Sequence, residues 1–265
     1  MQDRADSGVR PPGVLRLALE LRAPWELGAS LAALPILMSA PRGDGHPVLV
    51  LPGLAASDLS TGPLRRYLKD RNYAPHRWRQ GRNLGPRPGV LANCERVVLQ
   101  LCERYGRKVS LIGWSLGGIY ARETAKKIPD SVRGVITLGT PFAGHPRATN
   151  AWQLYELVSG EQVDSRRDWE EIKCAPPVPT TSIYSRTDGI VAWQCSVQAE
   201  APQCENIEVE ASHVGLGVNP AVLYAIADRL AQPEGQWRPF DRSGLRQFIY
   251  RDPAAADCFP DSRLV

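Results

Sequence analysis

The stretch VSLIGWSLGGIYARE (109–123) decides the fold. A run of β-branched and other apolar residues leads into Gly-Trp-Ser-Leu-Gly-Gly, and helix-forming residues follow at once. This order predicts a strand, a sharp turn at Ser115 and a helix. A G-x-S-x-G sequence arises easily by chance, but between a strand and a helix it holds the serine hydroxyl out from the turn. Ser115 is therefore either a nucleophile or part of a plain glycine-rich turn.

Strand and helix patterns alternate along most of the chain. Strands are predicted at 48–53, 73–79, 109–114, 132–140, 180–188 and 205–213, and helices at about 63–71, at 90–105, after Ser115 and at 219–230. Alternation at this spacing is typical of a parallel sheet covered by helices. The pattern predicts an α/β fold with a mostly parallel sheet of about six strands and helices on both faces.

Three segments depart from this alternation. Residues 14–40 have helical composition, residues 145–178 interrupt the pattern as a lid-like insertion, and residues 232–265 form an irregular C-terminal tail. The insertion contains a helical pattern, which indicates either a mobile roof over the site or a helix packed on the body. We predict a single domain over residues 1–265, a length at which one α/β domain is common.

The composition of the chain excludes some classes of binding partner. The formal net charge is only +4, and the basic residues are scattered or interleaved with acids, so no nucleic-acid surface is predicted. The N-terminus lacks the pattern of a signal peptide, and the apolar stretch 27–41 is too short to span a bilayer. We therefore expect a cytoplasmic protein without a stable membrane anchor. The sequence carries no signal for an oligomeric state.

The six cysteines do not indicate a metal centre, because none lies in a C-x-x-C pair. A phosphate-binding G-x-x-x-x-G-K-[ST] sequence and a carboxylate cluster suited to metals are also missing, so no cofactor and no metal are predicted. Cys94 and Cys102 fall on the apolar face of a predicted helix. Cys195 and Cys204 flank a short loop. They are either two free thiols or, if the protein is exported, a disulfide.

A serine nucleophile needs a histidine to accept its proton and a carboxylate to orient that histidine. Of the four histidines, His213 ends the last predicted strand and enters a glycine-rich loop, whereas His46 lies at the wrong end of the first strand. Asp188 ends the preceding strand. Ser115, Asp188 and His213 thus lie at the ends of predicted strands and follow one another in the order Ser, Asp, His, which is the order in α/β-hydrolases. The carboxyl ends of the strands are also where open α/β sheets bind ligands. Taken singly, Asp188 also fits a simple turn and His213 a structural loop.

An oxyanion hole needs two backbone N–H donors. The amide of Leu116 follows the serine, and the amide of Leu54 follows Gly53 in the loop after the first core strand. The alternative is that Pro52 and Gly53 merely turn the chain.

Aromatic residues are the candidates for substrate contact. They are Trp114 beside the serine, Trp152 and Tyr155 in the insertion, and Trp193 after the acid loop. Each of them also fits a packing role, so the sequence leaves both interpretations open.

From about residue 46 to 231 the chain resembles the α/β-hydrolase superfamily, on its lipase and carboxylesterase side. The resemblance rests on HPVLVLPG, LIGWSLGG, ITLGTPFAG, YSRTDGIV and SHVGLGVNP. GTPFAG is similar to the segment that leads into the lid of triacylglycerol lipases and GPI-inositol-deacylase-like proteins. By this resemblance Ser115 is the nucleophile, His213 the general base and acid, and Asp188 its orienting partner.

Two departures from the family pattern stand out. Pro52-Gly53 occupies the place where relatives commonly have His-Gly, and helical sequence occupies the place of the two antiparallel strands that often open the fold. The resemblance implies hydrolysis of a small-molecule or lipid ester through an acyl-enzyme. An acyltransferase or amidase with the same triad is the alternative, and a non-catalytic binding module is a third.

Overall fold

The structure is a computed structural model and describes residues 9–143, 148–150, 156 and 169–251. The helices are α1 (Val14–Ala18), α2 (Ala23–Ala32), α3 (Leu34–Ser39), α4 (Gly62–Asp70), α5 (Val90–Tyr105), α6 (Leu116–Lys127), α7 (Trp169–Lys173) and α8 (Pro220–Leu230), with 3₁₀ turns at Leu19–Arg22, Pro129–Ser131, Trp193–Ser196 and Gly244–Phe248. The strands are β1 (Pro47–Leu51), β2 (Ala74–Arg77), β3 (Val109–Trp114), β4 (Val132–Leu138), β5 (Thr180–Tyr184) and β6 (Cys204–Glu208).

The strands form one sheet in the order β2-β1-β3-β4-β5-β6, and every neighbouring pair is parallel. This confirms the predicted α/β class and the strand count. β1, β3 and β5 are buried along almost their whole length because both of their faces are covered, and β1 and β3 are also mostly apolar in sequence. Since all strands run the same way, their carboxyl ends meet along one edge of the sheet.

Helices cover both faces of the sheet, as predicted. Successive strand side chains point to opposite faces, so Val48 and Val50 pack in one core and Leu49 and Leu51 in the other. The first core receives side chains of α3, α4 and α8, and the second receives side chains of α5 and α6. The carboxyl edge of the sheet is thereby held between two packed layers.

β5 and β6 end earlier than the sequence predicts. β5 ends at Tyr184 and β6 at Glu208, so Asp188 and His213 lie in loops beyond the strands. The cause is local, because the Ser185 hydroxyl accepts hydrogen bonds from the amides of Thr187 (3.1 Å) and Ala211 (3.2 Å) in place of a strand partner. Loops, not strand ends, therefore present both side chains.

The N-terminal segment, which we define as Val14–Ser39, contains α1, the first 3₁₀ turn, α2 and α3. Its inward side chains include two acids, the half-buried Glu20 and the buried Glu26. Most of its outward side chains are apolar, and Trp25 is 80% exposed. Among the described residues, no helix is both long and apolar enough to cross a membrane. The segment therefore directs both carboxylates and the apolar Leu37 toward the body, while most of its other apolar side chains are exposed.

The predicted insertion 145–178 is described only in part. Trp152, Tyr155 and His145 lie outside the described residues, as does the C-terminal tail beyond Arg251. Where the tail is described it is irregular, apart from the last 3₁₀ turn.

Five cysteines are described, and all of them are free thiols: Cys94, Cys102, Cys174, Cys195 and Cys204. Cys94 is buried and Cys102 is half-buried on α5.

Candidate active site

Ser115 forms the turn between β3 and α6. Its backbone has φ +52° and ψ −124°, a conformation that a non-glycine residue rarely adopts. The Ser115 amide donates to the Leu138 carbonyl at 2.8 Å, and the Ser115 carbonyl accepts from the Gly118 amide at 2.9 Å. A Cβ on Gly117 would lie 2.7 Å from the Pro52 carbonyl oxygen, so only glycine fits there. These contacts project the serine from the carboxyl edge of the sheet.

The loop after β1 lies directly against this turn. A Cβ on Gly53 would be 3.2 Å from the Ser115 Cβ, and Leu54 follows as a half-buried residue of the same loop. On the other side, Leu116 is the first residue of α6. The predicted oxyanion donors, the amides of Leu54 and Leu116, therefore belong to the two backbone segments that meet at the serine. Their role as donors stays a prediction.

Asn83 shapes the first of these segments and was missed by the sequence analysis. It is fully buried, its side-chain amide donates to the Pro52 carbonyl at 2.8 Å, and its backbone carbonyl accepts from the Ala55 amide at 2.7 Å. The Tyr120 hydroxyl donates to the Asn83 Oδ1 at 3.3 Å. Asn83 thus fixes the loop after β1. The surrounding sequence GRNLGP (81–86) contains no motif that predicts this role.

Asp188 and His213 form a buried pair. The His213 Nδ1 lies 2.6 Å from the Asp188 Oδ2, and the Asp188 Oδ1 accepts from the amides of Ile190 (2.8 Å) and Val191 (2.7 Å). Burial lowers the pKa of His213, but the charge and hydrogen bond of Asp188 outweigh it, and the charge of Glu20 acts the same way. The pKa of His213 is therefore raised above its ordinary value of 6.5. Asp188 thus stabilises the protonated form of the His213 imidazole.

Gly139, at the end of β4, makes room for this pair. It has φ +53°, and a Cβ on it would lie 3.0 Å from the His213 Nδ1 and 3.1 Å from the Asp188 Oδ2. Gly139 was not among the predicted site residues, although a glycine directly after a buried strand is a signal for close approach. The end of β4 thus leaves room for the Asp188–His213 pair and supplies no functional group itself.

Trp114 links the two parts of the site. Its indole N–H donates to the His213 carbonyl at 3.0 Å, and a Cβ on Gly217 would meet its ring. Trp114 also immediately precedes Ser115. The structure therefore brings the serine turn and the histidine loop together through this side chain, and substrate contact by Trp114 stays a prediction.

The other predicted substrate residues are placed differently. Trp193 stacks on Tyr184, with ring centroids 5.9 Å apart, and the Arg186 guanidinium lies 4.0 Å from the Trp193 ring centroid. Trp193 thus packs between these side chains, and a contact with substrate stays a prediction. Trp152 and Tyr155 lie outside the described residues.

Two of the remaining histidines belong to other surroundings. His46 is buried at the amino end of β1, with Nδ1 2.6 Å from the Asp44 Oδ1 and Nε2 2.8 Å from the Ser110 Oγ. Burial lowers the pKa of His46 to about 4. His76 lies in β2 and contacts the Tyr105 hydroxyl at 3.1 Å. The described residues include no group of three or more histidines, cysteines or acids that would hold a metal ion.

Comparison with known structures relates the fold to lipases and other hydrolases. The chain superposes on lipase B of Aspergillus fumigatus with a TM-score of 0.55 at 20% identity, covering 75% of this chain and 56% of that one. For the monoacylglycerol lipase of Paleococcus ferrophilus the TM-score is 0.52 at 16% identity, covering 71% and 96%. For an alpha/beta superfamily hydrolase of Oenococcus oeni PSU-1 it is 0.51 at 18% identity, covering 69% and 91%.

At these identities the likeness establishes the fold. The chain spans little more than half the length of the Aspergillus lipase, but almost all of the other two proteins. No curated protein matched the sequence. Residues 48–259, most of the chain, match the alpha/beta hydrolase family. The protein is a member of the alpha/beta hydrolase family.

Proposed function

We propose that the protein is a serine hydrolase that cleaves carboxylic esters through an acyl-enzyme on Ser115. The observation that carries this proposal is the buried Asp188–His213 pair, which shares one sheet edge with the strained serine turn. A carboxylate that accepts from Nδ1 leaves the other imidazole nitrogen, Nε2, to act as a base. The lipase names of two structural neighbours agree with an ester substrate.

In the acylation step, the Ser115 Oγ attacks the ester carbonyl carbon and the His213 Nε2 accepts the hydroxyl proton. The carbon–oxygen bond to the alcohol then breaks, and His213 returns the proton to the departing oxygen. Asp188 stabilises the imidazolium that forms between these events. The raised pKa of His213 agrees with this assignment, because it reflects the interaction that stabilises the charged ring.

In the deacylation step, water takes the place of the alcohol. His213 accepts a proton from water, the resulting oxygen bonds to the acyl carbon, and the bond to Ser115 breaks as the serine regains its proton. The amides of Leu54 and Leu116 are proposed to bind the oxyanion in both steps. Removal of one such donor typically raises the barrier by ~2.7–4 kcal/mol.

An apolar or aromatic ester, from a small molecule or a lipid, is the proposed substrate. Trp114, Trp152, Tyr155 and Trp193 are the proposed contacts, since aromatic side chains offer large apolar surfaces. Acyl transfer to an alcohol or cleavage of an amide would use the same acyl-enzyme, so the assay must include these acceptors and substrates.

The proposal is tested with p-nitrophenyl esters from acetate to palmitate and with labelling by a fluorophosphonate. We expect the wild-type protein to be active and to be labelled, and Ser115→Ala to lose the label and at least about 10³-fold in kcat. Ser60→Ala, the same change on an exposed serine at the end of the loop before α4, is the matched control. A folded wild-type protein that neither hydrolyses an ester nor takes the label would contradict the proposal.

The pH profile is a second test. The base must be neutral to act, and the pKa of His213 is raised, so activity should fall as pH drops through a value above 6.5. The measurement is kcat/KM of the wild-type protein between pH 5 and 9. An acid limb centred below 6.5 would speak against His213 as the base.

A further inference from the structure

A carboxylate from outside the sheet bridges the two loops that hold Asp188 and His213. The Glu20 Oε1 accepts from the amide of Gly189 at 2.8 Å and from the amide of His213 at 2.9 Å. The Glu20 Oε2 accepts from the amide of Val214 at 2.9 Å. One side chain thus receives three backbone N–H groups, one beside the acid and two at the histidine.

We propose that Glu20 is a positioning residue that holds the acid loop and the histidine loop in register, so that the Asp188–His213 pair forms with the imidazole toward Ser115. This inference rests on the proposed function. Glu20 acts through the backbone of the two loops and does not itself contact the reacting atoms.

Neighbouring side chains of the N-terminal segment support the same contact. The Glu26 Oε1 accepts from the Ser212 amide at 2.7 Å and from the Arg22 Nε at 3.0 Å. The Arg22 Nη2 donates to the Thr187 Oγ1 at 2.6 Å. The N-terminal segment therefore bonds to the residues on both sides of Asp188, which are Thr187 and Gly189. It also bonds to the residues on both sides of His213, which are Ser212 and Val214.

Two glycines allow the N-terminal segment to approach so closely. A Cβ on Gly189 would lie 2.9 Å from the Leu17 Cα, and a Cβ on Gly215 would overlap the Glu26 carboxylate. The loops thus accept the segment only because side chains are missing at these positions.

A carboxylate suits this role better than any neutral side chain. Both of its oxygens accept hydrogen bonds, so it satisfies donors from two loops at once, and bonds to a charged acceptor are stronger than neutral ones. Glutamine has one accepting oxygen, and its NH₂ group would face an N–H donor of the loops. Glu20→Gln therefore preserves size while it removes at least one of the three bonds.

The charge of Glu20 also reaches the imidazole. Among the described residues, the charged groups that face His213 are Asp188 and, from the N-terminal segment, Glu20, while the adjacent Glu26 and Arg22 form an ion pair with each other. Glu20 raises the pKa of His213 in the same direction as Asp188. A residue that only anchored the N-terminal segment would leave the titration of His213 unchanged.

The kinetic test compares Glu20→Gln with wild type. We expect kcat to fall about tenfold with KM little changed, because a misplaced catalytic pair slows the chemical steps more than binding. We also expect the acid limb of kcat/KM to move to lower pH. Glu103→Gln, the same change on an exposed glutamate of α5, controls for the change in net charge. Wild-type kinetics and an unshifted acid limb in an active Glu20→Gln protein would overturn the inference.

A second measurement does not depend on activity. Nuclear magnetic resonance of the wild-type protein and of Glu20→Gln reports the titration of the His213 ring and the hydrogen exchange of the Gly189, His213 and Val214 amides. We expect a lower His213 pKa and faster exchange at these amides in the variant. Unchanged values at both would overturn the inference even if the wild-type protein proved inactive, whereas a failed ester assay with altered values would reject only the proposed function.

Glu20→Asp is a second variant, to be used if Glu20→Gln does not fold. Glu20→Asp keeps the charge but lacks one methylene group, so it does not span the donors of both loops. We expect kcat to fall while the acid limb moves less than in Glu20→Gln. A Glu20→Asp protein with wild-type kcat and wild-type amide exchange would contradict the bridging role.

Discussion

The serine turn and the Asp188–His213 pair are held in place by different means. The turn depends on close backbone contacts with the strands and loops beside it, including the bond from the Ser115 amide to the Leu138 carbonyl. The two loops depend on a carboxylate that is 169 residues away from Gly189 and 193 residues away from His213. The first half of the site is therefore set by packing volume, whereas the second half, although crowded at Gly139, also depends on polar contacts from a distant segment.

This difference predicts different sensitivities. A site set by packing volume should fail when a single methyl group is added, because the interior is close-packed and the neighbouring backbone has no space to move. A site set by hydrogen bonds should lose rate gradually as individual bonds are removed. The three substitutions below test this contrast.

The largest effect is expected for Gly117→Ala. The added Cβ would lie 2.7 Å from the Pro52 carbonyl oxygen, so the turn or the loop after β1 must shift. We expect a loss of about 1–3 kcal/mol in the free energy of unfolding and about 100-fold in kcat. Urea denaturation and the ester assay measure the two losses.

Gly28→Ala is the matched control for this change. Gly28 lies within α2, and a Cβ there would meet no atom within 4 Å, so alanine should stabilise the helix by about 1 kcal/mol. Wild-type activity in Gly117→Ala would mean that the turn tolerates added volume, and the contrast between the two halves would fail.

An intermediate effect is expected for Gly139→Ala. The methyl group would press on the His213 Nδ1 and the Asp188 Oδ2, and the φ of +53° adds strain of about 1–2 kcal/mol. Gly235→Ala shares a positive φ, +76°, but its Cβ would meet no atom within 4 Å. Both variants should lose similar stability from strain, and only Gly139→Ala should lose activity. Equal kcat values in these two variants would argue against crowding at the pair.

The smallest effect is expected for Asn219→Ala. The Asn219 side chain caps α8 by accepting from the amides of Ala221 (3.0 Å) and Val222 (3.4 Å), and it donates to the Glu210 carbonyl at the base of the histidine loop (3.0 Å). We expect a loss of about 1 kcal/mol in the free energy of unfolding, with kcat near the wild-type value because Glu20 still holds His213.

Asn219→Asp, which keeps the cap but not the donor, separates the two roles of Asn219. It should recover most of the lost stability, since aspartate is also a favoured N-cap residue. A large drop in kcat in either variant would mean that the base of the loop, and not the N-terminal segment, controls the histidine.

The sequence predicted the features that local patterns encode. The alternation of strand and helix patterns was sufficient to predict the six-stranded parallel sheet, and the glycines around Ser115 were sufficient to predict the turn. Asp188 and His213 were selected because each ends a predicted strand, whereas β5 and β6 end several residues earlier in the structure. Hydrogen bonds from the amides of Thr187 and Ala211 to the Ser185 hydroxyl follow the end of β5, and the periodicity of a sequence does not indicate such bonds.

The residues that hold the site in place were not predicted. Glu20, Asn83 and Gly139 act through contacts that join distant parts of the chain, and each of them fits an ordinary helix or turn when it is read alone. Trp114 was predicted as a substrate contact, whereas the structure adds a hydrogen bond to the His213 carbonyl. Long-range hydrogen bonds require the three-dimensional arrangement, which periodicity and spacing do not supply.

The inward carboxylates of the N-terminal segment lie outside the region that the chain shares with its family. The match to the alpha/beta hydrolase family starts at residue 48, after Glu20 and Glu26. A protein shortened to that boundary would lose only Pro47 from its six strands and would keep the Ser-Asp-His set, yet water would have to replace the acceptors of four loop amides. Comparisons restricted to the shared region would judge such a protein complete, although the support for half of its site had been removed.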